Sequence, residues 1–192
     1  MTASNAAAQT LPALVPPAFT AEAKVVGGPG QISATYACIS RGSYRFAFRI
    51  LPGLRMDLTT PDRVALINLD CSQMYVFRVP DTLSYATELT HDACRATLLS
   101  QHPGAKIIEE YLQPAMGRLC PAFDFTWKYK GSVARHGRMV FLPASAGVIE
   151  FGLLSDPALF GQGSQDFKVV LQSLRASDAG GKLQLPVIFD KS

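Results

Sequence analysis

Over residues 44–51 apolar side chains recur at every second position, with Tyr44, Phe46, Phe48 and Ile50 on one side and Arg45, Ala47 and Arg49 on the other. A period of two predicts a half-buried strand, and Pro52-Gly53 ends it. Residues 64–71 repeat the pattern, Ala65, Ile67 and Leu69 alternating with Leu66, Asn68 and Asp70. Residues 74–79 read the same way up to Pro80-Asp81. The three segments are expected to form one meander.

The period changes after Pro80. Asp81 or Thr82 can cap a helix whose apolar positions Leu83, Ala86, Leu89, Ala93, Ala96 and Leu98 or Leu99 recur at steps of three and four, with Pro103-Gly104 as its stop. Strands follow at 106–112, 119–129, 137–142 and 148–154, separated by turn-forming stretches. Short connections demand antiparallel pairing, because parallel neighbours need long crossovers. The segment with Phe123, Phe125, Trp127 and Tyr129 on one face and Asp124, Thr126 and Lys128 opposite should lie centrally, its rings buried in an interior without polar clusters. A second helix is expected over 164–175, capped by Ser164, with Phe167, Val170, Leu171 and Leu174 in one stripe. A tail at 182–189 can add an edge strand. The order predicts an α+β fold in which two amphipathic helices cover an antiparallel β-sheet, an α/β/α sandwich.

Residues 1–30 are rich in Ala and Pro and finish in Gly27-Gly28-Pro29-Gly30, which predicts a flexible lead or linker ahead of a single α+β domain over 31–192. A chain of 192 residues is long enough to bury a core without metals or disulfides. The charged fraction is 17% and the net charge +3, with the cations scattered, so the counterion-release force behind nucleic-acid binding is weak and no nucleic-acid partner is expected. No apolar run approaches the length of a transmembrane helix. Prolines 12, 16 and 17 interrupt the early Ala/Leu run, which therefore does not read as an intact secretory signal. Cys38, Cys71, Cys94 and Cys120 allow three disulfide connectivities, and buried free thiols are the other reading.

Candidate chemistry is sparse. His91 and Cys94 lie three apart on the first expected helix and share a face, but two ligands do not make a metal site, and neither a metal nor a cofactor is expected. Gly161-Gln162-Gly163-Ser164 reads as a turn before a helix N-terminus, a place where backbone N–H groups can hold an anion. Glu109 and Glu110 are adjacent on a strand, so they face opposite ways and are expected to be solvated or half solvated. No G-x-S-x-G, H-E-x-x-H or dinucleotide fingerprint occurs, so catalytic residues are not assigned. Lys128, Lys130, Arg135, His136 and Arg138 gather around one strand-turn-strand connection, a positive cap suited to an acidic protein partner or an anionic membrane surface.

The run Phe46-Ala47-Phe48-Arg49-Ile50-Leu51-Pro52-Gly53, the helix after it, a four-strand meander containing Arg138-Met139-Val140-Phe141-Leu142 and a closing helix ending Val169-Val170-Leu171-Gln172-Ser173-Leu174 together resemble one superfamily. It groups PsbP-like photosystem extrinsic proteins, DcrB-like lipoproteins and Ran-binding import factors, and the resemblance covers residues 36–176. Leu54-Arg55 stand where that family customarily carries a Trp. The resemblance implies a non-enzymatic accessory or scaffold protein that docks on a larger protein assembly or on the cell envelope, in an exported or organelle-lumen compartment and without a cofactor. The rival expectation is a small-ligand carrier or enzyme using a pocket between helix and sheet, near His91 and Cys94.

Overall fold

The computed structural model describes residues 19–28, 31–60, 62–79, 89–129, 133–144, 147–177 and 188–189. The chain begins with strands Phe19–Val26 (β1), Gln31–Ile32 (β2), Ala34–Arg41 (β3) and Tyr44–Ile50 (β4). Gly42, at φ 57°, supplies the left-handed turn between β3 and β4. Leu54–Asp57 (β5), Arg63–Asn68 (β6) and Gln73–Arg78 (β7) follow, then the helix His91–Gln101 (α1). Lys106–Ala115 (β8), Arg118–Tyr129 (β9), Val133–Ala144 (β10) and Gly147–Ser155 (β11) run back and forth. After a 3-10 turn at Pro157–Leu159 come the helix Phe160–Ser173 (α2), Arg175–Ser177 (β12) and Ile188–Phe189 (β13).

These strands build a seven-stranded sheet in the order β5-β6-β7-β11-β10-β9-β8, a four-stranded sheet in the order β1-β3-β4-β12, and a small β2-β13 pair. Every pairing is antiparallel. The expected α+β class and antiparallel pairing hold, but the picture of two helices covering one sheet does not. The four-stranded sheet and α2 share one face of the large sheet, where Ile39, Phe46 and Phe48 meet Leu66, Phe77 and Phe151, and Phe167 and Leu171 close the layer. On the other face α1 sets Cys94 and Leu98 against Phe123, Phe125, Met139 and Phe141.

The expected meander of 44–51, 64–71 and 74–79 is also corrected. β6 and β7 pair with each other, whereas β4 pairs with β3 and β12 in the other sheet. Pro52-Gly53, with Gly53 at φ 81°, turns the chain from one sheet into the other. A period of two reports which side chains share a face and is blind to which strand lies alongside.

β1 lies inside the stretch read as a flexible lead. Its Phe19, Ala21, Ala23 and Val25 alternate with Thr20, Glu22 and Lys24, and it pairs with β3 from Phe19↔Arg41 to Val26↔Ala34. Phe19 and Ala21 pack on the core, and that contact outweighs the Ala-rich composition.

Both helices begin elsewhere than expected. The Oγ1 of Thr90 accepts a hydrogen bond from the Ala93 N–H (3.2 Å) and caps α1; the expected start at Asp81 or Thr82 lies outside the described residues. α2 starts at Phe160, so Ser164 sits in its first turns as a buried residue and is not its cap. The 3-10 turn led by Pro157 takes over the start, because proline's fixed φ fits the first position of a helical turn. The Gly161-Gln162-Gly163-Ser164 run is helical, so the turn that would have held an anion does not form. Gly163 lets α2 approach the sheet closely: a Cβ there would lie 3.1 Å from Gln73 Nε2 and 3.3 Å from Leu153.

Candidate functional site

α1 leaves part of the face it packs on uncovered. Its buried side chains, Cys94 and Leu98, lie over β9 and β10, and beyond its C-terminal end β6, β7 and β11 remain open. The result is a groove of about 370 Å³ between the end of α1, the sheet and the β5–β6 loop. Its floor is Met74, Val76, Met139, Gly152 and Leu154. Alternation explains that floor, since the paired residues Val76↔Gly152↔Met139 and Met74↔Leu154 point to the α1 side while Tyr75, Phe77 and Phe151 point into the other core.

One end of the groove is polar and tied together. Arg78 donates from Nε to Asp62 Oδ2 (2.8 Å) and from Nη1 to Glu150 Oε2 (3.2 Å). Glu150, whose side chain is only 4% exposed, also accepts from Gln101 Nε2 (2.8 Å), the last residue of α1. Both of its carboxylate oxygens are therefore engaged. Arg63 lies directly across the ladder from Arg78 and lines the rim with Thr60. The side wall is His102, the C-cap of α1, whose N–H reaches Leu98 O (3.0 Å). Its ring lies 4.7 Å edge-on from Trp127 and 5.1 Å from Phe125, its Nδ1 is buried with no hydrogen-bond partner among the described residues, and burial pushes its pKa down to about 4. The imidazole is neutral at pH 7.

The helix-sheet pocket thus lies at the opposite end of α1 from His91 and Cys94. His91 packs edge-on against Phe123 at 5.5 Å, and Cys94 is buried with its thiol pKa pushed up to about 12, by burial first and the Glu150 charge second. The space beside Cys94 is about 10 Å³, too small for a ligand. A thiol so hard to ionise is a poor nucleophile. The four cysteines are unpaired: Cys71 is exposed, Cys38 half-buried, Cys94 and Cys120 buried. Among the described residues no three His, Cys, Asp or Glu side chains gather as a metal site would require.

The basic cluster is divided by the pleat. Lys128 is exposed on the sheet face that also carries His136 and Arg138, whereas Arg135 points to the other face, beside Trp127. Arg138 donates to both oxygens of Asp124 (2.7 Å each), with Tyr111 Oη on Asp124 Oδ1 (3.1 Å) and the guanidinium over the rings of Tyr111 and Phe160. This is a polar cluster where an apolar interior was expected, and it forms because α2 brings Phe160 over a strand pair that could otherwise face water. His136 stacks on Phe160 with centroids 3.5 Å apart, and Arg135 pairs with Asp156. Lys130 lies outside the described residues. Glu110 is exposed, as expected of a solvated or half-solvated residue, and it also accepts from both Nε (2.9 Å) and Nη2 (2.5 Å) of Arg95, bracing α1 against β8; that guanidinium lowers its pKa.

The arrangement defines a class: an α+β protein of two antiparallel sheets, with a helix-edged groove on the open face of the larger one. No family model matches the chain, and no curated protein sequence matches it. Among solved structures it is similar to the cyanobacterial PsbP protein (CyanoP) of Synechocystis, with 13% identity and a TM-score of 0.45 over 88% of this chain and 98% of that one. It is also similar to a Pseudomonas aeruginosa protein of unknown function described as a putative regulator, with 17% identity and a TM-score of 0.44 over 70% and 83% of the two chains. A third likeness is to LpqN of Mycobacterium tuberculosis, involved in cell envelope biogenesis, with 9% identity and a TM-score of 0.43 over 82% and 91%. The expected PsbP-like resemblance is met by the similarity to one solved structure, that of CyanoP. Among the described residues no helix is long and apolar enough to cross a membrane.

Proposed function

We propose that this chain is a non-enzymatic accessory protein that works by binding, with the groove at the end of α1 as its small-ligand site. The carrying observation is the pairing of an apolar floor with a polar end whose groups are fixed before any ligand arrives. Arg78, Gln101 and Asp62 are held by hydrogen bonds centred on Arg78 and Glu150, so a ligand meets few groups that it must order. A volume of about 370 Å³ falls in the range of roughly 300–1,000 Å³ usual for small-molecule sites. The lining supports binding over catalysis: it contains no Ser, Cys, Lys or Tyr, and its one histidine is uncharged and far from matched to proton transfer at neutral pH.

Trp127 is the only tryptophan and touches His102, so its fluorescence reads the groove wall directly. A small-molecule panel titrated against the wild type and Gly152→Leu tests the reading. At position 152 a side chain meets first the flexible end of Met139, 3.0 Å from a Cβ, so the variant fills the groove without moving backbone. Ligands should perturb Trp127 in the wild type and fail to do so in Gly152→Leu; a panel that binds neither protein, or both equally, removes the groove from function.

Docking on a larger assembly is the second reading, and one observation favours it. At the far end of the β8–β9 hairpin Leu112, Met116 and Leu119 are exposed together, Leu119 at 63%. Lys128 adds an exposed cation further along β9. Leu112→Glu with Leu119→Glu should abolish recovery of a defined complex from the native source while leaving groove binding intact.

A further inference from the structure

The distal end of the β8–β9 hairpin is built differently from the rest of the large sheet. The β9–β10 ladder stops at Ala122↔Val140, whereas β8 and β9 stay paired out to Ala115↔Arg118. Residues 112–121 therefore form a two-stranded arm with which β10 no longer pairs. One face of the arm is anchored, since Ala115 and Cys120 are buried in the core. By alternation the other face carries Leu112, Pro114 and Leu119, with Pro114 directly opposite Leu119, and all three are exposed.

The turn that closes the arm breaks a local rule. Met116 and Gly117 stand at φ 50° and 72°, both left-handed, as a two-residue type I′ turn requires. Asn, Asp or Gly suits the first of these positions, and a long apolar side chain there is strained. Met116 is nonetheless exposed at the tip, with Leu119 exposed at 63% on the strand that follows. An apolar residue kept in a costly conformation at an exposed tip points to a contact made outside the chain.

The chemistry of the arm selects the occupant. From Tyr111 to Phe123 the chain has no Asp or Glu, and its single cation, Arg118, is exposed beside the turn. A stable protein interface takes about 20–30 residues a side and close shape complementarity, far more than the arm alone presents. A bilayer asks for neither: apolar side chains enter the boundary of the acyl layer while an arginine stays at the phosphates. We propose that the β8–β9 arm inserts into the interface of an anionic lipid bilayer, with Leu112, Pro114, Met116 and Leu119 entering the apolar layer and Arg118 lying against lipid phosphate. The inference deepens the docking reading by naming what the exposed arm meets, and it is independent of the groove.

Co-flotation of the full chain with vesicles of phosphatidylcholine, with and without phosphatidylglycerol, tests this. The wild type should float with the anionic vesicles, and Arg118→Gln should weaken that binding about fivefold, the share of one cation near a charged surface, while leaving neutral vesicles unaffected. Met116→Asn separates contact from folding. Asn-Gly suits a type I′ turn, so its Tm should equal or exceed that of the wild type while its vesicle affinity falls at least tenfold. Leu119→Asn should lose binding likewise. A Met116→Asn protein that floats as the wild type does would overturn the inference. So would a wild type that stays behind in the gradient: if Leu112→Glu with Leu119→Glu still abolishes recovery of a defined complex, the arm meets protein and the docking reading survives, and if it does not, both fall. Self-association that is lost in Met116→Asn, without flotation, would likewise overturn it and assign the arm to a second copy.

Discussion

Glu150 and Arg78 sit directly opposite each other on β11 and β7, Arg78 Nη1 lying 3.2 Å from Glu150 Oε2. The carboxylate stands in the middle of a nine-residue strand that is otherwise apolar or small, and Arg78 and Gln101 take its two oxygens. Removing it leaves Arg78 Nη1 and Gln101 Nε2 without an acceptor, although Arg78 keeps Asp62, and a part-buried donor left unsatisfied carries its desolvation cost. Glu150→Ala should therefore lower stability by about 2–3 kcal/mol, read as a shift in the urea midpoint. The double change Arg78→Leu with Glu150→Leu should be milder than Glu150→Ala alone. A Glu150→Ala midpoint equal to the wild type would mean that water already serves Arg78 and Gln101.

His102 gives the protein an acid sensitivity. Its pKa is pushed by burial to about 4, below the unfolded value of about 6.5. Between those values the unfolded chain takes up a proton that the folded ring resists, so stability falls as pH drops through about 6.5 to 4 and is unaffected above pH 7. The full shift corresponds to about 3 kcal/mol, and partial access of solvent to the ring reduces this to on the order of 1–2. His102→Phe keeps the contact with Phe125 and Trp127 and abolishes the titration. The difference in Tm between pH 7.5 and pH 5 should be smaller in His102→Phe than in the wild type; equal differences would place the acid sensitivity elsewhere.

Strand positions were legible because alternation is local. β4, β9 and β11 fall where Phe46-Phe48, Phe123-Phe125 and Ile149-Phe151 repeat every second residue. The division into two sheets was not legible, since Pro52-Gly53 reads as a hairpin turn in sequence and serves as a crossing between layers in space. β1 was legible in Phe19, Ala21, Ala23 and Val25 and was masked by the alanines and prolines around it. The groove had one visible signal, a lone glutamate inside the apolar run Val148-Ile149-Glu150-Phe151. Its partners Arg78 and Gln101, and Asp62 bonded to Arg78, come from three separate parts of the chain, and no spacing rule connects them. The basic cluster shows the converse: Arg135, His136 and Arg138 are close in sequence, and the pleat sends the first to the opposite face from the others.

Arg138 was read as a surface cation and is engaged with Asp124. The two side chains are 12% and 8% exposed and meet through two parallel hydrogen bonds. Asp124→Ala should cost about 3 kcal/mol, because it leaves a guanidinium buried between Tyr111 and Phe160. Lys128→Glu should change stability by less than about 0.5 kcal/mol, as expected of an exposed strand position. Equal losses in the two variants, measured by thermal unfolding, would show that the Asp124 pair is solvated.

Gly137 is required by the ring it faces. It pairs with Phe125 across β9 and β10, and a Cβ built on it would lie 2.7 Å from Phe125 Cε1, 2.8 Å from Cε2 and nearer still to Cζ. The ring lies over the glycine backbone in the space a side chain would occupy. It cannot move freely, since Phe125 is fully buried and His102 sits 5.1 Å from it on the side of the groove wall. Gly137→Ala should consequently destabilise the fold by about 1–3 kcal/mol, the usual cost of overfilling a packed core, even though alanine suits a strand better than glycine. The displaced ring presses on His102, so the same variant should alter Trp127 fluorescence without any ligand. Combining it with Phe125→Leu should restore part of the loss, because the shorter side chain vacates the contested space. A Gly137→Ala protein as stable as the wild type would mean that the ring has an alternative place to go, and the packing between α1 and β9 would then be looser than the structure describes.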